Sequence, residues 1–194
     1  MNKIEAFFNM IADDWDLICE HDPKKIQTIL KRTGLEHHAR ILDIGCGTGI
    51  LERFLLEYQP QQIVGIDIAG KMIDKAKEKY KDYSTISFEQ KDAMIYTGQR
   101  FDYIIIYSAY PHFSQPRSLI KHMRDLLLPN GKLVICHSES KECINAHHDK
   151  YANQLSLPLP PAWQVAALME PFLKPTVVED NEDLYIICGQ NSIT

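Results

Sequence analysis

Three groups of residues in this sequence have types and spacings that could do chemistry. The run Asp43-Ile44-Gly45-Cys46-Gly47-Thr48-Gly49 sets three glycines at alternate positions. Glycine has no Cβ, so such a run turns tightly and lets a ligand approach the main chain. Two carboxylates end short apolar or β-rich runs: Asp67 after Ile63-Val64-Gly65-Ile66, and Asp92 after Phe88-Glu89-Gln90-Lys91. Asp67 is suited to accept two hydrogen bonds from a ribose diol, and Asp92 to accept from an adenine amino group. The third group is histidine: His112 in Tyr107-Ser108-Ala109-Tyr110-Pro111-His112-Phe113, then His137, then His147 and His148 in Asn145-Ala146-His147-His148-Asp149. Imidazole titrates near neutral pH and serves as a base or a hydrogen-bond partner.

The elements that must position these groups follow from periodicity and from Pro and Gly breaks. An amphipathic run over 4–18 and a second helix over 24–32, entered at Pro23 and stopped at Gly34, open the chain. Strands are expected at 40–44, 62–66, 86–90, 102–107 and 131–137, with helices at 49–58, 70–80 and 116–127 among them. Continuous apolar strands such as Tyr103-Ile104-Ile105-Ile106-Tyr107 predict a parallel sheet covered on both faces. After a Pro-rich loop at 157–161, a helix at 162–173 precedes strands at 176–180 and 184–188. Their short link suits a hairpin and so an antiparallel last strand. The expectation is a doubly wound, mostly parallel, seven-stranded α/β sheet of Rossmann-like type.

The bulk properties agree with one globular domain over 1–194, with 1–35 as a helical cap. The chain has 194 residues, of which 45% are hydrophobic and 24% charged. No apolar stretch approaches the roughly 20 residues of a membrane helix, and the first residues lack a secretory core. Five scattered cysteines with no Cys-x-x-Cys pair suit a reduced, cytoplasmic setting. A net charge of −5 excludes broad phosphate neutralisation, so no nucleic-acid partner is expected. The lysines at 71, 75, 77, 79 and 81 alternate with acids and read as a solvated helix face. A zinc or iron site built from His112, His137 and His148 is conceivable by ligand type, but no diagnostic spacing joins them, and no metal is expected.

In open parallel sheets the ligand sits beyond the carboxyl ends of the strands, where all three groups fall. A dinucleotide would want glycines spaced G-x-G-x-x-G, yet Ile50 occupies the third position, and the anionic Asp43 would repel a pyrophosphate. A carboxylate there can instead pair with the ammonium of a methionine moiety, which favours S-adenosylmethionine.

On these residues the chain resembles the class I S-adenosylmethionine-dependent methyltransferases. Ile41 to Gly49 looks like the family's first motif, and Val64 to Met72 like the second. Asp92-Ala93 resembles the third, and Phe101 to Ser108 with Leu128 to Leu133 the fourth and the turn into strand five. The resemblance covers roughly 38–138. It implies a cofactor site of Asp43, Gly45, Cys46, Gly47, Gly49, Asp67, Ile68, Met72, Asp92, Ala93 and Ser108, with Cys46 a packing residue. The family presents acceptor-binding residues at the carboxyl end of strand four, where His112 stands; with His137 at the end of strand five and His148 beyond it, these are the candidates for catalysis. Phe7, Phe8 and Trp15 are either a lid over the cofactor or the packed face of the first helix.

The resulting expectation is an enzyme that methylates a small molecule, as a monomer or homodimer. Two alternatives stay open: an adenosine-binding regulatory protein without turnover, and a methyltransferase acting on RNA or protein. Against the latter stand the acidic charge and the absence of an Asn-Pro-Pro-Tyr-like run, since Ser108-Ala109-Tyr110-Pro111 follows strand four.

Overall fold

The strands carry apolar residues at both parities, and each parity is covered by a different set of helices. A computed structural model of the chain describes residues 2–151 and 155–192. Seven strands form one sheet: β1 (Arg40–Ile44), β2 (Gln62–Asp67), β3 (Ile86–Gln90), β4 (Phe101–Tyr107), β5 (Leu127–His137), β6 (Lys174–Asp180) and β7 (Tyr185–Gln190), in the order β3-β2-β1-β4-β5-β7-β6. The first five pair in parallel, while β7 runs antiparallel to both β5 and β6, as the short 181–183 link requires.

On one face Leu42, Ile44, Val64, Ile66, Ile104 and Ile106 pack beneath Leu119, Ile120 and Met123 of α6 (Pro116–Asp125) and Val165 and Met169 of α8 (Ala162–Met169). On the other, Ile41, Ile63, Tyr103, Ile105 and Tyr107 pack beneath Ile26, Ile29 and Leu30 of α3 (Pro23–Arg32) and Phe54 and Leu55 of α4 (Glu52–Leu55). Between them, α5 (Gly70–Lys79) covers β2 and β3, and α7 (Lys141–Tyr151) follows β5. Among the described residues no helix is long and apolar enough to cross a membrane.

Two expected helices are cut. The run over 4–18 is two pieces, α1 (Lys3–Ile11) and α2 (Trp15–Ile18), because the chain turns at Asp13-Asp14, where Asp14 N–H bonds Ile11 O. Adjacent aspartates disfavour a continuous helix, and each piece is tied separately to α5: Asp13 to Lys75 at 2.7 Å and Asp16 to Lys79 at 2.7 Å. The lysine row on α5 is therefore only partly a solvated face, since two of its members hold the N-terminal cap. The helix expected over 49–58 begins only at Glu52 and ends in a 3-10 turn at Leu56–Tyr58. Gly49 has φ +82°, a left-handed conformation incompatible with a helical start. The last predicted helix also ends early, at Met169, and β6 starts at Lys174.

The sequence order reverses between β1 and β4, which lie side by side while β2 and β5 lead away from them. The carboxyl ends of these strands open into a cavity of about 1060 Å³, roofed by α1 and α2.

Candidate active site

At one end of this cavity the glycine turn is held by hydrogen bonds that point inward. The N–H groups of Gly45 and Cys46 both donate to Ile66 O, at 2.8 and 3.1 Å, and that of Gly49 to Cys46 O at 2.9 Å. Gly47 N–H donates to Asp67 Oδ2 at 3.0 Å, and Asp67 Oδ1 accepts from Ala69 N–H at 2.8 Å. The turn thus offers no outward nest of N–H groups to a pyrophosphate, whereas each Asp67 oxygen keeps a second lone pair for a diol. Gly45 has φ +68°, and a Cβ there would lie 2.6 Å from the Ala109 Cβ, so the turn after β1 and the turn after β4 touch at this glycine.

Beneath the turn lies an acidic pair. Asp43 is 2% exposed and Glu52 fully buried, with neither Glu52 carboxyl oxygen hydrogen-bonded. Burial raises both, and their mutual repulsion with Asp67 adds to the rise of Asp43, so that Asp43 ends well above the carboxylate range and Glu52 is pushed to about 7. Asp67 is raised as well, by burial, against the pull of its backbone donors. This end suits a cationic group, because a positive charge beside Asp43 would relieve the repulsion.

The other end is lined by His21, His112, His137 and His148. His112 ends the 3-10 turn Tyr110–His112, with Nδ1 3.0 Å from Leu155 O and its ring 5.2 Å from both Phe8 and His148. His137 closes β5, is 1% exposed, and has no partner at either ring nitrogen. His148 Nδ1 is likewise buried and unpartnered, while the adjacent His147, also on the cavity wall, lies within 3.7 Å of Glu139. Burial, then the neighbouring imidazoles, lowers His137 to about 3 and His148 to about 4, and burial also lowers His112 and His21. These side chains are neutral donors and acceptors at physiological pH. Among the described residues no group of His, Cys, Asp or Glu has the arrangement to hold a metal ion.

Residues 41–131 match the family model of a methyltransferase domain. The chain is 30% identical over 146 residues to a ubiquinone biosynthesis O-methyltransferase of Histophilus somni, covering 68% of this chain and 60% of that protein. It is 32% identical over 117 residues to a malonyl-[acyl-carrier protein] O-methyltransferase of a Paenibacillus species, covering 56% of this chain and 42% of that one. It therefore spans from about two fifths to three fifths of these relatives' lengths. Residues 41–131 thus belong to a methyltransferase domain, of the class I S-adenosylmethionine-dependent type. The fold agrees: the N-methyltransferase NodS of Bradyrhizobium japonicum WM9, solved with S-adenosyl-L-homocysteine, superposes with a TM-score of 0.76 at 20% identity, over 98% of this chain and 99% of that one.

Of the residues picked from the sequence, Asp43, Gly45, Cys46, Gly47, Asp67, Ile68, Met72, Asp92, Ala93 and Ser108 line one cavity together with His112, His137 and His148. Gly49 does not line it. A Cβ there would lie 2.7 Å from the Tyr80 ring, so this glycine serves the packing of the turn on α5. Cys46 packs with Ile73, Tyr80 and Phe88. Asp92 accepts from Met94 N–H at 2.8 Å, and Ser108 directly follows β4 at φ +54°. Phe8 and Trp15 pack on Ala69 and Met72, and also line the cavity with Phe7.

Sequence reasoning missed four participants. Glu52 carried a weak signal, because it lies three residues before the buried Leu55 on the apolar face of its helix. His21, Ser138 and the latch of Asp16 on Thr48 and Lys79 carried none, since they meet the site only through tertiary contact.

Proposed function

We propose that residues 1–194 work as a single methyltransferase domain, with 1–35 as its cap, transferring a methyl group from S-adenosylmethionine to a small-molecule acceptor. The observation that carries this reading is the continuity of the cavity, which joins the family's glycine turn and its strand-end carboxylates to a chamber of neutral histidines. Asp67 would hold the ribose, Asp43 the ammonium, and Asp92 with Ile68, Met72 and Ala93 the adenine. Gly45, Cys46, Gly47 and Gly49 shape the turn, and Ser108 closes the far side.

Bound there, S-adenosylmethionine supplies a methyl group on an already activated sulfonium. The chain's own contribution is alignment and the exclusion of water. Phe8, Trp15 and Phe113 provide dry walls, while His112, His137 and His148 supply hydrogen bonds to the acceptor. Both relatives' names specify oxygen as the methylated atom, which supports an oxygen acceptor here too. The five unpaired cysteines support a cytoplasmic setting for a monomer or homodimer.

Calorimetry tests the reading. S-adenosylmethionine and S-adenosylhomocysteine should bind with micromolar affinity, and Asp67→Ala should weaken binding about a hundredfold, the loss of two charge-assisted hydrogen bonds. Absence of heat with either ligand would remove the proposal.

A further inference from the structure

The histidine end of the cavity contains a hydrogen-bonded chain that the sheet does not need. Cys19 Sγ lies 3.1 Å from His21 Nε2, His21 Nδ1 lies 2.6 Å from the Tyr107 hydroxyl, and that hydroxyl lies 2.8 Å from Ser138 Oγ. All four residues line the cavity. The chain runs from the segment between α2 and α3, across the end of β4, to the residue after β5. Every link is a thiol, hydroxyl or imidazole that can both donate and accept, so a proton can pass along it.

Its inner end adjoins His137, whose two unmatched nitrogens call for a polar ligand atom, since a buried imidazole is rarely left unpaired. The chamber's charge narrows what that ligand is. Among the described lining residues the sole Lys or Arg is Lys91, beside Asp92 at the cofactor end, so nothing here clamps a carboxylate or phosphate. Of the two acids that line this end, Glu20 is exposed and Glu139, next to Ser138, faces His147; the remaining walls include Phe7, Phe8, Phe113 and Ile144. An ammonium ion would find little compensation among neutral imidazoles and aromatic rings.

Resting on the methyl-transfer reading, we propose that the acceptor is a weakly acidic hydroxyl, phenolic or enolic, on a neutral and largely apolar molecule, and that Ser138 and Tyr107 relay its proton to His21. The acceptor oxygen takes a hydrogen bond from the His137 N–H and gives its own proton to Ser138 Oγ. Ser138 passes its proton to the Tyr107 oxygen, and Tyr107 passes its own to His21 Nδ1. The O–H bond breaks as the O–CH3 bond forms, the S–CH3 electron pair goes to sulfur, and the positive charge lost from the sulfonium reappears on the His21 imidazolium. Cys19 and Tyr107 contact that ring; burial and then Arg53 oppose its charged form, and Asp16 favours it. His21, half-buried at the cavity wall, then returns the proton to solvent.

The test uses the whole chain saturated with S-adenosylhomocysteine, 4-nitrophenol as probe and 4-nitroaniline as its amine counterpart, followed by visible absorbance. Nitrophenol should bind saturably and be ionised about tenfold more when bound than when free at the same pH, one unit of pKa. Tyr107→Phe, Ser138→Ala and His21→Gln should each keep the probe's affinity and return its ionisation to that of free nitrophenol. Three variants at separate links guard against one that folds poorly. Failure of nitrophenol to bind, nitroaniline binding as tightly, or ionisation unchanged in all three variants would overturn the relay. S-Adenosylhomocysteine that fails to bind removes the methyl-transfer reading, whereas S-adenosylhomocysteine binding with a failed probe result removes the hydroxyl relay alone.

Discussion

The two ends of the cavity are built in opposite ways. Every predicted cofactor-binding residue that lines it, apart from Ser108, falls between Asp43 and Ala93, at the ends of three consecutive strands or, for Met72, on α5. The histidines of the acceptor end come from the α2–α3 link, the turn after β4, the end of β5 and α7. Their electrostatics are opposite too. Asp43, Glu52 and Asp67 are raised by burial, and His21, His112, His137 and His148 are lowered by it, so each end resists its own charge. A raised acid holds its proton in the folded state and loses stability as pH rises through its folded pKa. A lowered histidine loses stability as pH falls from the unfolded value toward its folded one. Between about pH 4.5 and 6.5, bounded by the ordinary Glu and His values, the two slopes oppose each other.

Removing one slope uncovers the other, and the histidine side should give the larger effect. His137 titrates near 6.5 when unfolded and about 3 when folded. It contributes roughly 5 kcal/mol above pH 6.5 that is lost progressively toward pH 3. In His137→Gln, urea unfolding should show stability that falls as pH rises from 4.5 to 6.5, where the wild type is nearly flat. A variant as flat as the wild type would show that the two ends do not balance.

Glu52→Gln is the mirror experiment, with a smaller effect. Glu52 moves from its ordinary value near 4.5 to about 7, so its contribution of roughly 3 kcal/mol is present at low pH and lost as pH rises through 7. The variant should be more stable than the wild type at pH 8 and lose stability more steeply on acidification. Because Asp43 is then relieved of its partner, affinity for S-adenosylhomocysteine should also vary less between pH 6 and 7.5. Equal stability of the two proteins at pH 8 would mean that the acidic pair is solvated after all.

The same contrast explains what could be read in the sequence. The cofactor end rests on local rules: glycines where φ is positive, and acids one residue beyond β-rich runs. All seven strands and the reversed last one were readable for the same reason, since continuous apolar strands and a three-residue link are local patterns. Some helix boundaries were not. The break at Asp13-Asp14 and the late start at Glu52 depend on contacts with α5 and on the left-handed Gly49, which periodicity cannot register. At the acceptor end His112, His137 and His148 were candidates because they follow strands. His21 and Ser138 became visible only when β4 and β5 were laid side by side.

The cap is where the two ends meet, and it offers the smallest effect and the finest test. Phe8 stacks edge-on against His112 at 5.2 Å and against Trp15 at 5.6 Å, and a Cβ at Gly47 would lie 3.6 Å from the Trp15 indole nitrogen. One covering element thus touches both chambers. Its polar fastening is Asp16, which accepts from the Thr48 hydroxyl of the glycine turn and pairs with Lys79 at 2.7 Å. These side chains are about half and a third exposed, at 49% and 35%, so solvent screens the pair and Asp16→Ala should cost only about 0.5 kcal/mol of stability. If the cap opens as a unit, the same substitution should raise the dissociation rate of S-adenosylhomocysteine several-fold in stopped flow, with little change in association. A dissociation rate that rises no more than the stability falls would make the cap a fixed roof, and the two chambers would then exchange ligands by separate routes.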